Sequence, residues 1–199
     1  MFNRDEGLLL RAGVGATLRP LITYTHPTGS NYTCNPPVTN TDIDFYAFTN
    51  VGRDVMNQHI LDDGWVSCVD EIQSQAYANT PGFGKDWMAY RKDNYNLMIV
   101  YNTRHFARCV AATEMCKALN LMNKQDRVDA HSFVHLDKEL EFKLPLNRQL
   151  RTFINGVKST DWWDLNPPVR SLTVPQQRQM FQWDVSPTTA PDPVPRFTF

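Results

Sequence analysis

No apolar run in this chain approaches the roughly 20 residues that a membrane-crossing helix needs, so the sequence gives no reason to expect a membrane. Its first residues, Met1-Phe-Asn-Arg-Asp-Glu, put acids where a signal peptide has none, and a cytoplasmic location is expected. Charge of one sign is missing too. Twenty Lys and Arg face twenty-one Asp and Glu, for a net charge of −1. That balance excludes the footprint of a protein that coats DNA or RNA and leaves only a local contact with nucleic acid. The four cysteines, Cys34, Cys68, Cys109 and Cys116, include no CxxC pair. The last two, if they share a helix, stand about 10 Å apart at about 1.5 Å per residue, beyond disulfide reach. Free, mostly buried thiols are expected, as in a reducing compartment. His131 and His135 have the i, i+4 spacing of a zinc pair, but no third ligand is evident nearby and His-Glu-x-x-His is absent. Core packing is the reading for Cys109 and Cys116. No repeat of 20 to 50 residues is visible, which removes solenoids and propellers.

A length of 199 residues suits one main domain with an extension. The spacing of Leu8, Leu9, Leu10, Val14, Leu18 and Leu21 predicts a helix over Glu6 to Leu21, weakened by Gly13 and Gly15. Leu21 to Thr25 reads as a short strand that ends in a turn at His26-Pro-Thr-Gly-Ser. Asp42 to Thr49 reads as a strand and Arg53 to Asp63 as a helix stopped by Gly64. Trp87 to Lys92, the pair Asp93-Asn94, and Tyr95 to Tyr101 form a predicted hairpin whose second strand is buried. Two consecutive helices follow between Arg104 and Val134, the second opening at Asn123 with Asp126 as a capping pair. After Pro145 the character changes, because seven of the thirteen prolines lie beyond Asp161 and Trp162, Trp163, Phe181 and Trp183 are scattered among polar residues. The expected organisation is an α+β (α/β-like) domain over 1–145, a small mixed sheet flanked by helices. A proline- and aromatic-rich C-terminal extension covers 146–199. Its last residues, 186–199, are too rich in proline for helix or central strand; they either wrap over their own domain or serve self-association or another protein.

Chemistry concentrates at Asp42 and Asp44. One apolar residue separates them at a strand start, and the period of two puts both carboxylates on one face, about 6.7 Å apart along the backbone. Such a pair suits Mg²⁺ or Mn²⁺, hard cations that take oxygen donors and keep places for water and phosphate. Upstream, Gly29-Ser30 is a place where backbone amides and a hydroxyl can approach a triphosphate.

Gly29-Ser30, eleven intervening residues and then Asp42-Ile43-Asp44-Phe45 resemble the Gly-[Gly/Ser] and Asp-h-[Asp/Glu]-h signature of the polymerase-beta-like nucleotidyltransferase superfamily, where h is apolar. Tyr95 to Val100, Phe106, Ala111 to Leu119 and Lys124 to Arg127 are similar to nucleotidyltransferase-like proteins of tailed bacteriophages. The resemblance spans about residues 5–135. It implies a nucleotidyltransferase fold, metal at Asp42 and Asp44, and transfer of a nucleotidyl group from an NTP to a nucleic-acid end, a protein or a small molecule. Two positions depart from the pattern. Thr28 stands where an apolar residue precedes Gly-Ser, and Asn96 stands where relatives carry a third carboxylate. Asn96 is therefore placed at the nucleotide site as a neutral, weaker ligand. Arg104, which follows the Asn96 strand, is the basic residue chosen to steady phosphate, with Lys85 and Arg91 as outsiders and Arg108, Lys117, Lys124 and Arg127 as mainly solvated surface. Two rival functions accompany the enzyme: a degenerate domain that binds a nucleotide or host protein without chemistry, and an assembly role for the tail.

Overall fold

In the computed structural model, residues 2–39, 41–68, 83–136 and 147–158 are described; the tail over 186–199 and Trp162, Trp163, Phe181 and Trp183 lie outside the described residues. The chain is mixed α+β, with a five-stranded sheet flanked by helices. Strands β1 (Tyr24–Thr28), β2 (Ile43–Phe48), β3 (Val66–Ser67), β4 (Trp87–Lys92) and β5 (Tyr95–Val100) lie in the order β1-β2-β5-β4-β3. β2 and β5 are parallel, and the remaining neighbours are antiparallel. The hairpin of β4 and β5 turns at Asp93, whose φ of 53° is a value Asp tolerates better than most side chains.

Alternation along the central strands divides two cores. Phe45, Ala47, Leu97, Ile99 and Tyr90 face α1 (Glu6–Arg11) and α3 (Arg53–Asp62), and bury Leu9, Leu18, Met56 and Ile60 with them. Tyr46, Phe48, Met98 and Val100 face the other way, onto α4 (Thr103–Ala118), α5 (Lys124–Leu136) and α6 (Arg148–Lys158). α4 is the spine of that second layer. Asn102 caps it by accepting the His105 amide at 3.0 Å, and ten of its sixteen residues are buried. Asn123 Oδ1 accepts the Gln125 amide at 2.8 Å at the start of α5. α6 adds Leu150, Phe153, Ile154 and Val157 to the same core, an element that the sequence reading does not assign.

Two expectations are corrected. The first helix stops at Arg11 rather than running to Leu21. Gly13 turns with φ 68°, and Gly15 donates its amide to both oxygens of Asp63 at 3.0 Å, so close that a Cβ there would lie 2.0 Å from Oδ1. Contact with the end of α3 outweighs the leucine periodicity. Secondly, His26-Pro27-Thr28 is not a turn but the second half of β1. Pro27 is tolerated because β1 is an edge strand, bordered outside β2, among the described residues, by an isolated bridge from Asn3 to Thr25.

Among the described residues, no helix is long and apolar enough to cross a membrane. All four cysteines are buried thiols rather than disulfides.

Candidate functional site

The parallel register sets Asp44 on β2 beside Asn96 on β5, and the antiparallel register sets it beside Thr28 on β1. Three strands therefore bring their ends to one place, on the sheet face that carries α4. Asn96 Nδ2 donates to Asp44 Oδ1 at 2.8 Å and to Asp42 Oδ2 at 3.2 Å, so one amide joins the two carboxylates. Asp42 is exposed and Asp44 half-buried. Burial pushes the Asp44 carboxyl above the usual carboxylate range and the charge of Asp42 adds to that; the Asn96 hydrogen bond and the Arg127 guanidinium oppose it.

Gly29 follows β1 directly and opens α2 (Gly29–Thr33) with φ 71°. A Cβ at this position would lie 1.9 Å from Asp44 Oδ2, so the absence of a side chain lets the backbone rest against the carboxylate. Ser30 is the next residue along. Gly29→Ala is expected to cost about 1–3 kcal/mol through its left-handed φ and to turn Asp44 away from Asn96. Thermal melts with calorimetric titration of Mg²⁺ check this, and an unchanged melting temperature with unchanged metal affinity would separate Gly29 from Asp44.

A buried polar network lies under this corner. Thr28, which departs from the apolar pattern, matches its hydroxyl with that of Thr113 on α4 at 2.8 Å. The next residue of the same helix, Glu114, is 2% exposed and accepts from Tyr32 Oη at 2.9 Å, while His26 Nε2 stands 3.2 Å from the same oxygen. His26 Nδ1 is 2.8 Å from the Pro27 carbonyl, which can only accept, so Nδ1 carries a proton. Lys117 Nζ lies 3.9 Å over the Tyr32 ring, and Arg127 donates to the Leu121 and Met122 carbonyls at 2.9 and 2.8 Å. Sequence reasoning missed His26, Tyr32, Thr113 and Glu114. The available signal was Glu114 itself, a charge inside the apolar run Ala111-Ala-Thr-Glu-Met-Cys.

Asp42, Asp44, Asn96, Gly29 and Ser30 are thus brought together. Arg104 is not among them. It sits in the first turn of α4, after the C-terminal end of β5, whereas Asp44 and Asn96 are at the N-terminal ends of their strands; its guanidinium donates to the Lys158 carbonyl at 3.3 Å. Lys85 lines a shallow groove with Gly52, Arg53, Asp54 and Val55, beyond the C-terminal end of β2. The bases at the aspartate corner are instead Lys117, Arg127 and Arg91, the last being the cross-strand partner of Asn96 on β4.

At the other end of α4 is a second cluster. His105 and Cys109 on α4 meet His135 on α5, their donor atoms all within 4.8 Å of one another. Burial pushes the His105 and His131 imidazoles down to about 4. His135 is thus grouped with two residues of the neighbouring helix and not with His131, so the i, i+4 spacing of the two histidines is not what assembles the cluster.

No family model matches the chain, and no curated protein matches it. Among solved structures, the conserved protein GrpB from Enterococcus faecalis is similar with a TM-score of 0.37 at 12% identity, over 80% of this chain and 97% of that one.

Proposed function

We propose that the protein binds an NTP with Mg²⁺ or Mn²⁺ at Asp42 and Asp44 and transfers a nucleotidyl group to an acceptor. The observation that carries this reading is the convergence of both carboxylates on one point, with the side-chain-free backbone of Gly29 against Asp44. Two carboxylates that converge on a single donor group would close on a divalent cation by side-chain rotation, and the side-chain-free Gly29 would let phosphate oxygens approach beside it. Asp42 and Asp44 would hold the ion; the ion supplies charge neutralisation of the triphosphate when bound. Arg91, Lys117 and Arg127 supply positive charge at the same corner.

Asn96 favours a second reading, a domain that binds Mg²⁺-NTP without chemistry. Its Nδ2 faces both carboxylates, where a cation would repel it, so metal binding requires the amide to turn and present Oδ1. That oxygen can ligate a cation but cannot take a proton from an attacking hydroxyl near neutral pH. Incubation with each labelled NTP and Mg²⁺ or Mn²⁺, reading product on RNA, protein and small-molecule acceptors, separates the two. Transfer supports the enzyme. Metal-dependent NTP binding in calorimetry without product supports the binding domain, and absence of both overturns the site.

A further inference from the structure

We propose that His105, Cys109 and His135 form a zinc site that staples α4 to α5, independent of the aspartate corner. Neither helix supplies the set alone. His105 and Cys109 are four residues apart on α4 and share one face; α5 packs against that face and brings His135 into it. Cys109 Sγ stands 3.8 Å from His135 Nε2. A tetrahedral zinc with bonds of about 2.3 Å to sulfur and about 2.0–2.1 Å to nitrogen spaces such donors by roughly 3.5 Å. That pair is therefore already near its liganded separation, and all three donors stand within 4.8 Å of one another, so modest side-chain movement closes the set.

The surroundings fix these donors as a metal site's supporting groups do. His105 stacks on Trp87 with an interplanar angle of 17°. Tyr46 of the sheet is buried in the same core as Cys109. Arg108 donates to the His135 carbonyl at 3.0 Å and to the Val157 carbonyl at 3.2 Å, which anchors the end of α5 and α6 beside the cluster. Two imidazoles and a thiolate are borderline-soft donors that suit Zn²⁺ rather than Mg²⁺, so the two ends of α4 select different metals. Cys109 loses its proton to solvent on binding, and the fourth coordination place is taken by water. His131 lies parallel to His135, at 5° and 6.1 Å between rings, but outside the donor set.

The full-length protein, stripped with chelator and titrated with Co²⁺, tests this. One equivalent is expected to give the visible spectrum of a tetrahedral ion with a thiolate charge-transfer band, and Zn²⁺ is expected to bleach it. Asp44→Asn and His131→Gln should keep the thiolate band and its one-equivalent end point. Cys109→Ser should remove the charge-transfer band, and His135→Gln should weaken binding about 100-fold. Because those two variants are in or near the core, the wild-type titration decides by itself: no thiolate band at one equivalent overturns the site. Equal loss on His131→Gln and His135→Gln overturns the three-ligand assignment, as does a band that survives in folded Cys109→Ser and vanishes in Cys34→Ser or Cys116→Ser.

Discussion

Asn96→Asp is expected to unfold at a markedly lower temperature in metal-free buffer and to regain its stability when Mg²⁺ is added. The side chain of Asn96 is the shared donor to Asp42 and Asp44. Replacing it with a carboxylate removes both hydrogen bonds and sets three negative groups at one corner, in a place where Asp44 is already reluctant to ionise. Loss of charge-assisted bonds costs about 2–3 kcal/mol, or roughly 5–10 °C for a domain of this size. With metal the sign reverses, because the third carboxylate is a better ligand than an amide and removes the need for the amide to turn. Metal affinity should rise about 10-fold or more, visible as a steeper dependence of melting temperature on Mg²⁺ concentration. If the acceptor site is intact, transfer should quicken as well. Identical melting temperature, metal stoichiometry and metal affinity in the two proteins would mean that Asn96 does not face the carboxylates.

Asp44→Asn should act in the opposite sense, more stable yet unable to hold Mg²⁺-NTP. The amide oxygen still accepts from Asn96, so the local geometry survives while the buried charge disappears. Burial raises the Asp44 carboxyl above its unfolded value. Between those two values the folded chain retains a proton that the unfolded chain has released, so this group's contribution is fully present below the unfolded pKa and is lost as pH rises through the folded one. Relieving that loss should be worth on the order of 1 kcal/mol at neutral pH, while NTP affinity in Mg²⁺ falls about 100-fold. Melts across a pH series should show the wild-type slope above the carboxyl range missing from the variant. A variant less stable than wild type at every pH would show that the ionised carboxylate holds the corner together.

Much of this architecture was legible because one-face alternation and turn chemistry are local. The hairpin through Asp93-Asn94 and the paired helices after Asn102 needed nothing beyond their own residues. The strand register that sets Asn96 beside Asp44 was inferred from a resemblance and is visible as a parallel pairing. What the sequence hid depends on distant partners. Gly15 ends the leucine pattern because Asp63, 48 residues away, receives its amide. Arg104 looked suitable because it follows the Asn96 strand, but following a strand means arriving at its far end, and α4 must run back along the sheet before Lys117 reaches Tyr32, three residues beyond Gly29. α6 was masked by the proline-rich composition that follows it, although Leu150, Phe153, Ile154 and Val157 have helical spacing.

The placement of Pro27 also governs how the sheet meets other chains. Thr25 gives its amide to the Asn3 carbonyl at 2.9 Å, so the backbone at that position points away from β2. Two residues on, position 27 points the same way, and there proline has no hydrogen to give. The outward donors of β1 are thus one engaged and one deleted, and an extended peptide arriving along this border finds no ladder to join. β3, at the opposite border, is two residues long. Among the described residues, the sheet is closed at β1 to templated strand addition and offers little template at β3, which guards it against fibrous self-assembly.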